Sequence, residues 1–128
     1  MNADALREHC LSFAGAAETF PFGLETSVFK VGEKMFALSQ LGAESLRVSL
    51  KCDPGLAEQL RATYASVIPG YHLNKRHWNT VIIDGSLADQ NIKDMIEDSY
   101  DLVASGLSRA GQEALGWTPS TRVDDRRR

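Results

Sequence analysis

Two apolar runs around a glycine, followed by an alternating segment, constrain the fold of this chain more than any other feature. The segment "SVFKVGEKMFALSQ" at 27–40 places its apolar runs on either side of Gly32-Glu33. A glycine in the first central position predicts a hairpin with a type II′ turn. After a second turn at Gly42-Ala43-Glu44, "SLRVSLKC" at 45–52 alternates apolar with polar residues, which is typical of a strand with one buried and one solvated side. We therefore predict a three-stranded antiparallel meander.

Helical patterns lie on both sides of this meander. Apolar residues recur at helical spacing over 3–14, which predicts a first helix. Asp53-Pro54 has the capping residue and the first-turn proline of a helix start, and this second helix is expected to stop before Pro69. Ser86 with Asp89 resembles a capping box that opens a last helix, whose apolar stripe extends to Leu107.

The remaining segments add strand and loop. "HWNTVIID" at 77–84 is rich in β-branched residues and predicts another strand. "ETFPFG" at 18–23 predicts a turn or a short edge strand, because proline cannot donate to a ladder. Together these elements predict one α+β domain over residues 1–117, followed by a polar, flexible tail at 118–128.

The overall charge counts against a protein that coats nucleic acid, but the charge is unevenly distributed. The chain has 128 residues, a net charge of −3 and a pI of about 5.6, whereas such proteins are usually basic. Residues 45–83 contain five basic and two acidic residues, and residues 84–101 contain one basic and six acidic residues. This segregation predicts a dipolar molecule, although two ordinary solvated faces would give the same counts.

The cysteines and the first residues indicate a cytoplasmic protein. Cys10 and Cys52 match no metal or redox spacing, so we expect both to be reduced and buried. Charged residues occupy positions 4, 7 and 8, where a signal peptide would need an apolar run. No segment approaches the ~20 apolar residues of a membrane span. A monomer is the expected state.

The stretch "PGYHLNKRHWNTV" at 69–81 gathers basic, amide and aromatic side chains without an acid. Lysine and arginine offer charge to phosphate, amides add hydrogen bonds, and aromatic rings stack on unpaired bases. Two cations on the solvated side of the alternating strand would extend this patch. The candidate nucleic-acid-binding residues are Tyr71, His72, Asn74, Lys75, Arg76, His77, Trp78, Arg47 and Lys51.

The same stretch is also typical of a purely structural turn. Pro69 closes the preceding segment, and Gly70 supplies an unusual backbone conformation. Trp78 begins an apolar strand, and a tryptophan in that position usually packs in a core. On this interpretation, Tyr71 and Trp78 fold the turn, and Lys75 and Arg76 are solvated charges.

Metal binding and catalysis find little support in the sequence. His72 and His77 have no nearby cysteine or carboxylate to complete a metal site. His9 and Cys10 are adjacent on a helix and point in different directions, so they do not make a nucleophile–base pair. Cys52 beside a histidine of the 69–81 stretch remains conceivable, but the sequence positions no orienting third group. We expect neither an enzyme nor a cofactor or metal site.

Four segments resemble the MmcQ/YjbR family of small bacterial proteins. They are "PFG" at 21–23, "VFKVGEKMFAL" at 28–38, "PGYHLNKRHWNTV" at 69–81 and "IEDSYDLV" at 96–103. The resemblance spans roughly residues 5–107. It implies a CyaY-like (frataxin-like) fold, in which helices pack on one face of an antiparallel sheet. It also implies DNA binding, by analogy with a double-wing module of a phage transcription factor, which is an analogy of fold.

Two hypotheses on function remain open. The first is a small, non-enzymatic module that binds DNA weakly and in a salt-sensitive way through the surface around 71–79. The second is a module for a protein or a small ligand, in which 69–81 is mainly structural. Its partner would meet an exposed strand edge or the helix-free face of the sheet, with Lys30, Arg47, Ser49 and Lys51.

Overall fold

The computed structural model describes residues 1–40 and 45–118, so the turn predicted at 42–44 and residues 119–128 of the predicted tail lie outside the described residues. The elements follow in the order α1 (Ala3–Leu11), β1 (Ala17–Thr19), β2 (Thr26–Val31), β3 (Lys34–Gln40), β4 (Arg47–Lys51), α2 (Pro54–Thr63), β5 (Val67–Pro69), β6 (Trp78–Ile82), α3 (Asp89–Ser105) and α4 (Arg109–Leu115).

The strands form one antiparallel sheet in the order β1-β2-β3-β4-β6-β5. The predicted meander is confirmed as β2-β3-β4, and the predicted α+β class with it. The segment at 18–23 contributes an edge strand, β1, and Pro21 lies beyond its end. The other edge strand, β5, was not predicted.

The hairpin between β2 and β3 differs from the prediction in its turn type. Gly32 has φ 55° and Glu33 has φ 66°, so both central residues are left-handed. A type II′ turn has a positive φ at its first central residue alone, whereas type I′ has it at both. The turn is therefore type I′. A Cβ at Gly32 would also lie 2.6 Å from Leu107 Cδ2, so the end of the leucine side chain would have to move.

Three helix boundaries correct the sequence analysis. The first helix ends at Leu11, because the Ser12 amide and hydroxyl both bond to the carbonyl of His9. The second ends at Thr63, since the β-branched residues that follow pair with β6 as β5. The last predicted helix starts at Asp89 without a side-chain cap, because the Ser86 amide donates to Asp84 Oδ1 in a turn.

A further helix, α4, was missed by the sequence analysis. Ser108 caps its first turn and Gly116 ends it in a left-handed conformation. Both are recognisable helix-boundary signals. None of the helices in the described part of the chain is long and apolar enough to cross a bilayer.

All four helices contribute to one core on one side of the sheet. Leu6 of α1, Leu60 of α2, Ile96 of α3 and Leu115 of α4 all pack in the same cluster. Aromatic rings fill its centre, with Phe13, Phe29, Phe36 and Tyr100 in mutual contact. These pairs contribute beyond the area that they bury.

The opposite side of the sheet, which we call the open face, carries a row of directly paired residues across all six strands. Because side chains alternate along a strand, this row points away from the core cluster. It consists of Thr19, Val28, Leu38, Ser49, Thr80 and Ile68.

Candidate nucleic-acid interface

The candidate site is built on the loop from Gly70 to His77, which joins β5 to β6. Gly70 closes it, because its amide donates to the carbonyl of Trp78 at 2.9 Å. A Cβ at Gly70 would lie 2.8 Å from Trp78 Cβ and 2.9 Å from Trp78 O. Only glycine fits such a close approach. The unusual backbone conformation predicted for Gly70 is not found, because Gly70 is not among the glycines with a positive φ.

Asn74 orders the interior of this loop. Its Oδ1 accepts from the amides of Arg76 at 2.9 Å and His77 at 3.3 Å. This is an Asx turn, in which the side chain replaces a backbone partner. The Asn74 oxygen is thereby occupied by the loop backbone, and the contact predicted for Asn74 as a hydrogen-bond donor falls to its Nδ2 group.

The cations of the loop are held in different ways. Lys75 Nζ donates to the carbonyl of Gly70 at 2.9 Å, so its charge lies over the start of the loop. Arg76 is exposed. Arg61 of α2 donates through Nη1 to the carbonyl of Lys75 at 2.7 Å and to Asn79 Oδ1 at 3.4 Å. Helix α2 thus adds a third cation to the loop.

Sequence reasoning did not place Arg61 in the site, although a signal existed. It lies one helical turn after Ala57, which is fully buried and whose carbonyl accepts from Asn79 Nδ2. Residues four apart share a helix side. A helix that packs Ala57 against β6 therefore also directs Arg61 toward the loop.

The aromatic residues of the loop are more accessible than the structural interpretation implied. Tyr71 is 49% exposed, and its ring centroid lies 4.1 Å from that of the exposed His72. The Tyr71 amide donates to Thr80 Oγ1 at 3.0 Å, which holds the residue at the open face. His77 is exposed, and its carbonyl accepts from the amide of Cys52. Trp78 is half-buried.

Strand β4 brings one predicted residue to the loop and separates another from it. Lys51 pairs directly with Trp78 at the loop end of β4, and both point to the open face. Arg47 pairs with Ile82 at the far end of the same strand. Four residues of strand separate the two cations by about 13 Å. Lys51 therefore belongs to the loop cluster, and Arg47 does not.

The polar side of β4 is less solvated than its alternation predicted. Ser49 is 4% exposed and Thr80 is 2% exposed, and their hydroxyl oxygens lie 2.8 Å apart. Arg47 and Lys51 are half-buried. The Tyr71 segment bonds to Thr80 at the centre of the open face, which an alternation pattern does not reveal.

Charge is segregated between the two sides of the molecule. Helix α3 carries five carboxylates and one lysine. The open face, over the described strands, carries Lys30, Arg47 and Lys51 and no carboxylate. The predicted dipole therefore lies across the sheet, and the positive side is the one that holds the aromatic loop.

The thiols are poor nucleophiles in this fold. Burial, with a smaller contribution from the charge of Glu18, raises the pKa of Cys10 to about 12. Burial, followed by the charges of Asp98 and Asp53, raises the pKa of Cys52 to about 11. Cys10 is buried as predicted, whereas Cys52 is only partly buried. Within residues 1–40 and 45–118, no group of three or more His, Cys, Asp or Glu side chains is placed to hold a metal.

Comparison with known proteins places this fold among its relatives. Escherichia coli K12 YjbR is 37% identical over 115 residues, which cover 90% of this chain and 98% of YjbR. Escherichia coli O157:H7 YbdF is 38% identical over 96 residues, which cover 75% and 79%. The crystal structure of a Deinococcus radiodurans protein with a DUF419 domain superposes with a TM-score of 0.87 at 42% identity, covering 93% and 91%.

A more distant structure agrees with these. The crystal structure of a Pseudomonas syringae protein superposes with a TM-score of 0.70 at 27% identity and covers 80% of this chain and 99% of that protein. The sequence profile of the YjbR family matches residues 11–102, which include the loop, the open face and most of α3. The chain belongs to the YjbR family.

Proposed function

We propose that this protein is a weak nucleic-acid-binding module whose contact surface is the loop from Gly70 to His77 together with Lys51. The observation that carries the proposal is the exposed ring pair of Tyr71 and His72. The Lys75 ammonium group lies near it, because it donates to the carbonyl of Gly70, the residue before Tyr71. An accessible ring beside a cation is the combination that unpaired bases and their phosphates require.

The contact energy of such a surface is small. A base stacked on Tyr71 or His72 contributes about 1–3 kcal/mol. Four cations adjoin the loop, namely Lys51, Arg61, Lys75 and Arg76, and Arg61 is already bonded to the loop backbone. Since affinity falls with salt in proportion to the number of phosphate contacts, few contacts give weak binding with a shallow salt dependence.

The charge distribution supports the same orientation of the ligand. The carboxylates of α3 repel phosphate from the helical side, whereas the open face presents cations alone among its described strand residues. A polyanion is therefore steered toward the side on which Tyr71 is held. A binding role also agrees with the raised pKa values of both thiols, which leave little thiolate for catalysis. We place this activity in the cytoplasm.

Fluorescence anisotropy of labelled oligonucleotides tests the proposal. Wild-type protein is titrated at ~50 and ~200 mM salt, the range over which phosphate contacts weaken. We expect weak binding that Lys75→Ala/Arg76→Ala and Tyr71→Ala each reduce. Arg109→Ala is the control for loss of a cation outside the surface, because Arg109 is exposed on α4 beside Glu113. Folded wild-type protein that binds no oligonucleotide at ~50 mM salt would overturn the proposal.

A second function, binding of a protein partner, is favoured by a separate feature. The segment after the edge strand β1 exposes Phe20 at 41%, Phe22 at 72% and Leu24 at 82%. Neighbouring exposed apolar side chains often mark a protein-binding surface. If this surface is used for self-association, Phe22→Ser/Leu24→Ser lowers the sedimentation coefficient at high protein concentration. An unchanged coefficient excludes self-association through this segment.

A further inference from the structure

The open face carries a line of hydrogen-bond donors along β4. Arg47, Ser49 and Lys51 occupy alternate positions of this strand and therefore point to the same side. Their spacing is about 6.7 Å per step, from the rise of two strand residues. A guanidinium, a hydroxyl and an ammonium group thus follow one another across the middle of the sheet.

One of these donors is buried without a partner in the described part of the chain, and another shares its only bond. Arg47 Nε is buried and has no hydrogen-bond partner among those residues. Thr80 Oγ1 accepts from the Tyr71 amide and shares one bond with Ser49 Oγ. Only one of these two hydroxyl groups can donate in the bond between them. The hydrogen of the other hydroxyl has no acceptor among the described residues.

Buried polar groups almost always have at least one partner, so the unpartnered Nε of Arg47, beside a hydroxyl pair with one hydrogen to spare, indicates a missing acceptor. The acceptor has to carry several oxygens, because donors recur along β4. It also has to be anionic, since the described strand residues on this face include three cations and no carboxylate. A phosphodiester chain has both properties.

We propose that a single strand of nucleic acid lies along β4 on the open face, with one phosphate bound by Arg47 Nε and by the Ser49–Thr80 hydroxyl pair. This inference rests on the proposed function and extends it in two ways: it adds Ser49 and Thr80 to the contact surface and it selects single strands over duplex. The strand runs from the Tyr71–His72 rings, past Lys51, to Arg47.

Burial of the donors is the reason for the selection. Ser49 and Thr80 are only 4% and 2% exposed, so the rigid backbone of a duplex cannot reach their hydroxyls. A duplex has its bases paired and stacked, and it leaves none of them free for the exposed Tyr71 ring. Arg47 Nε and the hydroxyl pair are then contacts that a duplex lacks.

The test compares a single-stranded DNA of about twelve nucleotides with its duplex, by anisotropy, for the wild type and three variants. Arg47→Lys retains the charge and removes the buried Nε–H. Ser49→Ala/Thr80→Val removes both hydroxyls with little change in volume, but also the acceptor of the Tyr71 amide, so Arg47→Lys is the variant that distinguishes the β4 path from the loop. Arg109→Lys is the matched control, since its side chain is 93% exposed on α4. Thermal unfolding and amide NMR spectra establish that each variant is folded.

We expect the wild type to prefer the single strand to the duplex. Arg47→Lys weakens single-strand binding roughly tenfold, the effect of one charge-assisted hydrogen bond, and leaves duplex binding unchanged. Ser49→Ala/Thr80→Val acts in the same direction, and Arg109→Lys has no effect. In the wild type, amide shifts on titration should concentrate in β4 and β6 and spare α3.

The outcomes separate this inference from the proposed function. One outcome is that Lys75→Ala/Arg76→Ala reduces binding, whereas Arg47→Lys and Ser49→Ala/Thr80→Val leave it intact. This outcome would refute the β4 path and support the loop as the contact surface. Equal affinity for duplex and single strand would refute the selection. If the wild type binds neither, both proposals fail together. Should the double variant unfold, Arg47→Lys and the shift map still decide.

Discussion

The hydroxyl of Ser99 joins α3 to the strands β3 and β4 of the sheet. Its removal tests how much these two hydrogen bonds stabilise the fold. Ser99 is fully buried. Its Oγ donates to the carbonyl of Phe36 at 2.6 Å and accepts from the amide of Lys51 at 2.8 Å. Phe36 is the extra residue of a β-bulge on β3, because Phe29 pairs with Ala37 and Lys30 with Met35. The bulge displaces its carbonyl from the ladder.

Ser99→Ala leaves these two backbone groups without a partner. Each unsatisfied buried group costs about 1–3 kcal/mol. Alanine returns about 0.5 kcal/mol through its higher helix propensity. We therefore expect the free energy of unfolding to fall by about 1.5–5.5 kcal/mol, with a decrease in melting temperature on the order of 10 °C.

Urea unfolding followed by circular dichroism measures this change, since the midpoint falls while the slope stays constant. Ser105→Ala is the matched control on the same helix, because Ser105 is exposed and bonds to the carbonyl of Leu102. Its effect should stay within about 0.5 kcal/mol. A Ser99→Ala loss as small as that of the control would show that the two bonds do not hold the sheet.

Three further predictions concern the thiols, His9 and the loop. At about pH 8, thiol labelling of Cys10 and Cys52 should be at least ~100-fold slower in the folded protein than in urea, because the pKa values near 12 and 11 leave little thiolate. Fast thiol labelling of the folded protein would contradict this. Burial lowers the pKa of His9 below 6.5, so the unfolded chain binds more protons below that pH. The contribution of neutral His9 to the free energy of unfolding is fully present above pH 6.5 and should be lost as the pH drops toward the folded pKa. Urea unfolding should show a smaller fall for His9→Gln, and an equal fall would exclude His9 as its source. Gly70→Ala should reduce the free energy of unfolding by about 1–3 kcal/mol in the same assay, because its Cβ would meet Trp78 at 2.8 Å; an unchanged midpoint would mean that the loop adapts.

Local patterns were sufficient for the part of the fold whose stabilising contacts lie close in sequence. The β2–β3–β4 meander follows from alternation and a glycine turn, and the stripe of α3 follows from its period. Strand β5 was missed because it has only three residues and depends on pairing with β6. Its existence is a tertiary property, which local propensity does not report.

In the candidate site, too, local sequence signals were sufficient for some residues and folded geometry was needed for others. The composition of the loop identified Tyr71, Lys75 and Arg76, since a residue type carries its own chemistry. The occupied oxygen of Asn74 and the arrival of Arg61 from α2 depend on folded geometry and were missed. These contacts change the roles of residues without changing their identities.

The open face shows the limit of alternation most clearly. In β4 the pattern placed Ser49 in solvent, yet Ser49 is 4% exposed and shares a bond with Thr80, 31 residues later. A row of small polar residues between two apolar strands would weaken the sheet if it served packing alone, because hydroxyls gain little from burial. Thr80 Oγ1 accepts from the Tyr71 amide and shares a bond with Ser49, and the ligand that we propose would take the hydroxyl hydrogen that remains. The polar residues that local patterning assigned to solvent are therefore those from which the β4 path is inferred.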